Sequence, residues 1–168
     1  MRIFSISILS LLLVLLSSPL YADDMSAREQ AESLEKEGIL LERQNKVDEA
    51  MQTIKKAIEV DPAYVAAHNR LGYLLVKKEK FDEAMKSFEE ALKLNPRSHD
   101  AKTGKGIVFS RKGDLQSAEA ILKDALMLNP DPVRTHYELG KVYEQTGDLD
   151  KALSEFKEGL EKFNQGRK

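Results

Sequence analysis

Residues 65–98 read VAAHNRLGYLLVKKEKFDEAMKSFEEALKLNPRS. The apolar residues Leu71, Leu74 and Leu75, and then Phe81, Met85, Phe88 and Leu92, follow the i, i+3, i+4, i+7 spacing of amphipathic helices. Two such helices are predicted, with Lys77-Lys78-Glu79-Lys80 as the polar break between them. Asn95-Pro96 closes the second, because proline has no amide hydrogen to donate and its ring clashes with the preceding turn. A single hairpin of this size cannot bury its own apolar faces and needs neighbours stacked on it.

The neighbours are present in the same chain. Gly38, Gly72, Gly106 and Gly140 recur every 34 residues, and so do Ala50, Ala84, Ala118 and Ala152. A third small series runs Ala57, Ala91, Ala125, Gly159, and Pro62, Pro96 and Pro130 keep the same step. Large apolar residues hold register with them, as Ile54, Phe88, Leu122, Phe156 and as Leu41, Leu75, Phe109, Tyr143. A fixed period of this length without insertions is the signature of a solenoid. Small residues are expected where paired helices approach closely, with bulky ones filling the space between. Gly113-Asp114 and Gly147-Asp148 suit the turn inside the later units. The glycine can take the left-handed conformation that ends a helix, and the aspartate favours the next N-terminus.

These residues resemble the tetratricopeptide repeat family. Its pattern is met by Leu71-Gly72-x2-Leu75, Ala84-x3-Phe88-x2-Ala91 and Pro96, and again by Leu139-Gly140-x2-Tyr143 and Ala152-x3-Phe156. The resemblance implies an all-α fold, a right-handed α-solenoid of antiparallel helix pairs. Its four repeats would lie at 31–64, 65–98, 99–132 and 133–166, after a lead-in at 23–30 and before a two-residue tail at 167–168. Some positions depart from the pattern, with Glu37 in the first repeat and Lys102 and Lys105 in the third. Gly104 beside Gly106 marks the first helix of the third repeat as the softest element, since glycine within a helix costs about 1 kcal/mol relative to alanine. Ser26-x-x-Glu29 reads as a capping box that would start the first helix near Ala27.

Residues 1–22 are of another kind. Met1-Arg2 precedes an uncharged run from Ile3 to Leu16, then Ser17-Ser18-Pro19, then Ala22 before Asp23-Asp24. This is the tripartite pattern of a secretory signal peptide with cleavage after Ala22, and its apolar run is short of the roughly 20 residues of a membrane span. Export without any Cys, and without an Asn-x-Ser/Thr acceptor, points to a bacterial periplasmic or secreted protein with no stable membrane span after cleavage.

Composition narrows the function. The chain carries 26 Lys and Arg against 28 Asp and Glu, a formal charge of −2, which does not suit nucleic-acid binding. Zero Cys and only three His (His68, His99, His136) leave little for metal or acid–base chemistry, so neither an enzyme nor a cofactor is expected. Thr103-Gly104-Lys105-Gly106 lacks the spacing and the preceding strand of a phosphate loop.

The family resemblance implies instead that the first helix of each pair lines a concave face and binds a protein or peptide partner there. Carried over residue by residue, the groove in the second repeat consists of Asn69, Arg70, Tyr73 and Lys77. The third repeat adds Thr103, Ile107 and Arg111, and the fourth adds Arg134, Tyr137 and Lys141. Gly104, on the same side, could let a ligand backbone approach closely. The groove is basic over its last three repeats and acidic in the first. The lysine and asparagine pattern that grips a C-terminal carboxylate is missing, since Glu35 and Ile39 stand at its first positions. An alternative function is self-assembly, with Leu160 and Phe163 at the open end of the last helix stacking on a second chain as a homo-oligomer. Glu155, Lys157, Glu158, Glu161 and Lys162 on that helix favour water instead.

Overall fold

The computed structural model describes residues 19–128 and 132–166. Among them are eight helices and no strand: α1 (Pro19–Arg43), α2 (Val47–Val60), α3 (Val65–Lys77), α4 (Phe81–Leu94), α5 (His99–Arg111), α6 (Leu115–Leu128), α7 (Val133–Thr146) and α8 (Leu149–Gln165). The tail, Asn129-Pro130 and residues 1–18, where the sequence leads one to expect an export signal, lie outside the described residues.

Consecutive helices pack as antiparallel pairs, α1 with α2 through α7 with α8, and each pair leans on the next. First helices also touch one another, α1 on α3, α3 on α5 and α5 on α7, with no comparable contact between second helices. Drawing one layer closer than the other curves the array, so the first helices line the inner, concave face.

Each pair is locked by a bulky side chain pressed into a glycine gap. A Cβ on Gly38 would lie 2.6 Å from Ile54, and one on Gly72 only 2.5 Å from Phe88. Gly106 against Leu122 and Gly140 against Phe156 repeat the arrangement at 2.5 Å. Ile54, Phe88 and Leu122 are fully buried as a result. The alanine series Ala50, Ala84 and Ala118 is likewise sealed within the array.

Gly104 departs from the sequence expectation. It lies within a continuous helix, and a Cβ there would collide with the ring of Phe88. That ring is therefore gripped from two repeats, by Gly72 of its own and Gly104 of the next. The space that could have admitted a ligand backbone is filled by it.

The turns within the pairs use two solutions. Gly113 and Gly147 take positive φ (85° and 82°), and Asp114 and Asp148 then accept hydrogen bonds from the amides of Ser117 (3.1 Å) and Lys151 (3.2 Å). In the first two pairs the same left-handed position is held by Asn45 (φ 61°) and Glu79 (φ 59°), where a side chain is strained. The helix start expected near Ala27 is also corrected, because α1 begins at Pro19 and runs through Ser26. Serine caps a helix by preference but does not interrupt one, and no proline stands between Leu20 and Arg43 to do so.

Two outcomes follow for equilibrium urea unfolding. Gly104→Ala should destabilise by about 1–2 kcal/mol, because overpacking against Phe88 at about 1–3 kcal/mol outweighs a helix-propensity gain of about 1 kcal/mol. Glu79→Gly should stabilise by roughly 0.5–1 kcal/mol through relief of left-handed strain. A stabilised Gly104→Ala protein would mean that Phe88 is free to withdraw.

Candidate functional site

The concave face carries a polar cavity of about 260 Å³, lined by Glu35, Ala66, Asn69, Arg70, Tyr73, Asp100 and Arg134. Its walls come from α1, α3, α5 and α7, so it exists only because all four first helices are drawn together.

Tyr73 is its most constrained member. Its hydroxyl donates to the backbone carbonyl of Asp100 at 2.8 Å, tying α3 to α5. Its ring meets Phe88 edge-on, with centroids 5.2 Å apart and planes at 72°. The Arg134 guanidinium, two repeats on, lies 4.6 Å over the ring centroid, within cation–π range. Burial, with the nearby Asp100 charge second, pushes the phenol pKa up to about 12.

Arg70 faces Glu35 at 3.8 Å and Glu42 at 3.7 Å, both on α1. These separations suit charge attraction but exceed hydrogen-bond length. The buried Arg70 Nε makes no hydrogen bond, nor does the Oδ1 of Asn69 beside it. Unmet buried polar atoms cost stability, so Arg70 has donor capacity in reserve.

The ten residues expected to line a groove divide into two sets. Thr103 and Ile107 are buried between neighbouring helices rather than lying on the open face, and Asn69, though buried, reaches the cavity wall. Asn69 donates to Ser98 Oγ at 3.2 Å, and Thr103 Oγ1 lies 2.9 Å from Thr135 Oγ1, joining α5 to α7. Arg70 and Tyr73 are half-buried in the cavity wall, while Lys77, Arg111 and Arg134 are exposed. Tyr137 is 54 % exposed and stands over Phe156 at 5.8 Å, with Lys141 Nζ 5.5 Å from its ring. Lys141 is also paired with Glu138 at 3.3 Å. Truncating Tyr73 would thus disturb packing between repeats, whereas Tyr137 is free of that role.

Sequence reasoning missed Glu35, Ala66 and Asp100 as parts of this cavity. Asp100 contributes a backbone carbonyl, which no residue pattern signals. Glu35 also accepts a hydrogen bond from the Tyr64 hydroxyl, which ties α1 to the residue that precedes α3.

The histidines serve packing. His68 Nε2 lies 2.9 Å from the Pro62 carbonyl, and His136 Nδ1 lies 2.7 Å from Glu155, bridging α7 and α8. Among the described residues, no group of three or more His, Cys, Asp or Glu is placed to hold a metal ion.

Comparison with known proteins gives a consistent result. Models described as "Tetratricopeptide repeat" match residues 65–98 and 110–167, and one described as "TPR repeat" matches residues 41–78. No curated protein matches the sequence. A crystal structure of MamA superposes with TM-score 0.64 at 24% identity, over 88% of this chain and 86% of that one. A thermophilic tetratricopeptide repeat protein of Thermus thermophilus gives TM-score 0.72 at 24% identity, over 79% and 73% of the two chains. PilF of Pseudomonas aeruginosa gives TM-score 0.72 at 21% identity, over 82% and 63%. At these identities the likeness is one of fold.

The raised Tyr73 pKa has a consequence for stability. The folded protein holds the phenol proton more tightly than the unfolded chain does. That contribution is complete below pH 10 and is lost as pH rises through about 12. The stability difference between wild type and Tyr73→Phe should therefore shrink between pH 9 and pH 11 in urea unfolding. A difference that does not change with pH would show that the hydroxyl is not held as described.

Proposed function

The chain belongs to the tetratricopeptide repeat family, and we propose that its concave face binds an extended segment of a partner protein in the bacterial cell envelope. Family and fold are those of a protein–protein interaction scaffold, and members of this family generally act as scaffolds rather than catalysts.

The observation that carries this reading is the cavity to which all four first helices contribute, with two guanidinium groups and a tyrosine on its walls. Arg and Tyr are the side chains that most often anchor interfaces. Lys77 and Arg111, exposed at the ends of α3 and α5, form no ion pair among the described residues and extend the basic character beyond the cavity. A partner segment bearing carboxylates fits this face. One carboxylate would pair with the guanidinium of Arg70 or Arg134, while an apolar side chain packs on Tyr137. Glu35 and Glu42 at the other end disfavour a uniformly acidic ligand and set its direction.

The envelope assignment rests on the sequence of residues 1–22. Among the described residues no helix is long and apolar enough to cross a membrane.

Fluorescence anisotropy against a panel of 15-residue peptides, with acidic residues scanned along an aromatic-containing frame, tests the reading. Binding should require at least one carboxylate. Arg134→Glu should weaken it about tenfold or more, the value of one charge-assisted hydrogen bond, without loss of helicity. Equal binding by the Arg134→Glu variant would overturn the assignment of the face. Intact mass spectrometry of protein from the native envelope should show a chain beginning at Asp23, and a mass that retains Met1 would refute export with cleavage.

A further inference from the structure

The two ends of the array expose the two halves of its own internal interface. At the C-terminal end, Leu153 is 69 % and Leu160 61 % exposed, in line with exposed Leu149 and Phe163 along α8. Three full repeats earlier, Met51 in the register of Leu153 is buried, and Ile58 in the register of Leu160 packs against the core. At the N-terminal end, Leu40 is 55 % exposed, while Leu74, Val108 and Val142 in the same register are fully buried. We infer that a second copy of this chain docks head to tail, with α1 of one copy covering α7 and α8 of another as α3, α5 and α7 cover the pairs before them.

The charges identify the occupant. Inside the array Lys105 pairs with Glu89 of the preceding repeat at 3.4 Å. The same two registers at the chain ends hold Glu37 and Lys157, so the pair is kept with its signs exchanged. Arg70 pairs with Glu42 of the preceding repeat, and the equivalent end residues are Lys36 and Glu144. Lys78 with Asp48 at 3.0 Å and Lys112 with Asp82 at 2.8 Å form a third rung, matched at the ends by Gln44 and Asp150. Tyr143 reaches Glu119 of the preceding repeat, and Leu41 and Leu153 hold those registers. An unrelated helix would have no reason to complement α7 and α8 at Glu144, Leu153 and Lys157 together.

The fit has mismatches, among them Tyr137, a large ring that faces Ser33 where Thr103 faces Thr135 inside the array. Phe156 stands where Phe88 does, yet the place that Gly104 leaves open for Phe88 is held by Lys36. Docking therefore requires Phe156 to turn toward the adjoining apolar cavity of about 400 Å³ that it lines with Val133, Tyr137 and Leu160. The end-to-end contact is accordingly weaker than the internal ones and reversible. It is heterologous, so it propagates into open filaments unless the rotation closes a ring. It uses the ends of the solenoid and leaves most of the concave cavity open, but it covers Tyr137, so a ligand segment packed on that ring competes with it.

The chain contains no Cys, which gives a clean test on the full-length protein. Thr103 and Thr135 bring their Oγ1 atoms within 2.9 Å across an internal interface, and the equivalent end residues are Tyr137 and Ser33. Cysteines placed where side chains meet across an interface can pair when their Cβ atoms approach within about 3.5–4.5 Å. Ser33→Cys with Tyr137→Cys, oxidised and run under non-reducing denaturing conditions, should give a ladder of dimer, trimer and higher species. Each single variant can give no more than a dimer. In sedimentation velocity, Glu37→Lys and Lys157→Glu should each weaken self-association severalfold, and their combination should restore it. Association driven by the apolar residues 3–16 would ignore these charges and would overturn the proposal. So would the absence of a ladder, a dimer that grows no further, or a strict monomer, the last meaning that another segment or protein covers α8.

Discussion

The ring of Phe88 between Gly72 and Gly104 holds the array together at its middle. Gly72 lets the two helices of one repeat close on the ring, and Gly104 lets the next repeat close on it from the other side. With no Cβ on either glycine, α3, α4 and α5 meet around one aromatic side chain that is fully buried. Tyr73 then lies edge-on to that ring, its hydroxyl anchored on Asp100, and Arg134 settles over Tyr73. The shape of the concave cavity is thus inherited from a packing contact on the layer behind it.

This inheritance explains why the inner face is more selective than a row of solvated helices would be. Residues that point inward from neighbouring first helices are close enough to bond one another, as Thr103 and Thr135 do. What remains open to a ligand are the long side chains at the margins (Arg70, Lys77, Arg111, Arg134) and the exposed ring of Tyr137. The acidic residues of α1 close one end, so the face has a polarity along its length. Exposed ion pairs between repeats, such as Lys112 with Asp82, contribute at most about 1 kcal/mol each. They act more to fix register than to supply stability.

The fold could be read from the sequence because the repeat imposes its chemistry several times over. One glycine or alanine is ambiguous, but Gly38, Gly72, Gly106 and Gly140 in a single register are not, and the structure places a bulky partner against each. The features that escaped sequence reading are those that occur once. Gly104 looked like a defect in a helix because its partner, Phe88, lies in the previous repeat. Glu79 carries no sign that it adopts the left-handed turn that Gly113 and Gly147 adopt in later pairs. Family positions pointed to Thr103 and Ile107 as ligand contacts, but the closeness of adjacent first helices buries them. The side of the helix was legible in the sequence, whereas the depth of each residue on that side was set by its neighbours.

Recognition on the inner layer can be separated from recognition elsewhere by site-specific photo-crosslinking in cells of the native organism. Photoreactive residues would be placed one at a time at Lys77, Arg111 and Tyr137 on first helices, and at Lys56, Lys86 and Ala120 on second helices, all of them exposed. The account predicts that the first set captures a common partner band and that the second set does not. Capture from the second-helix positions, with none from the inner face, would contradict it.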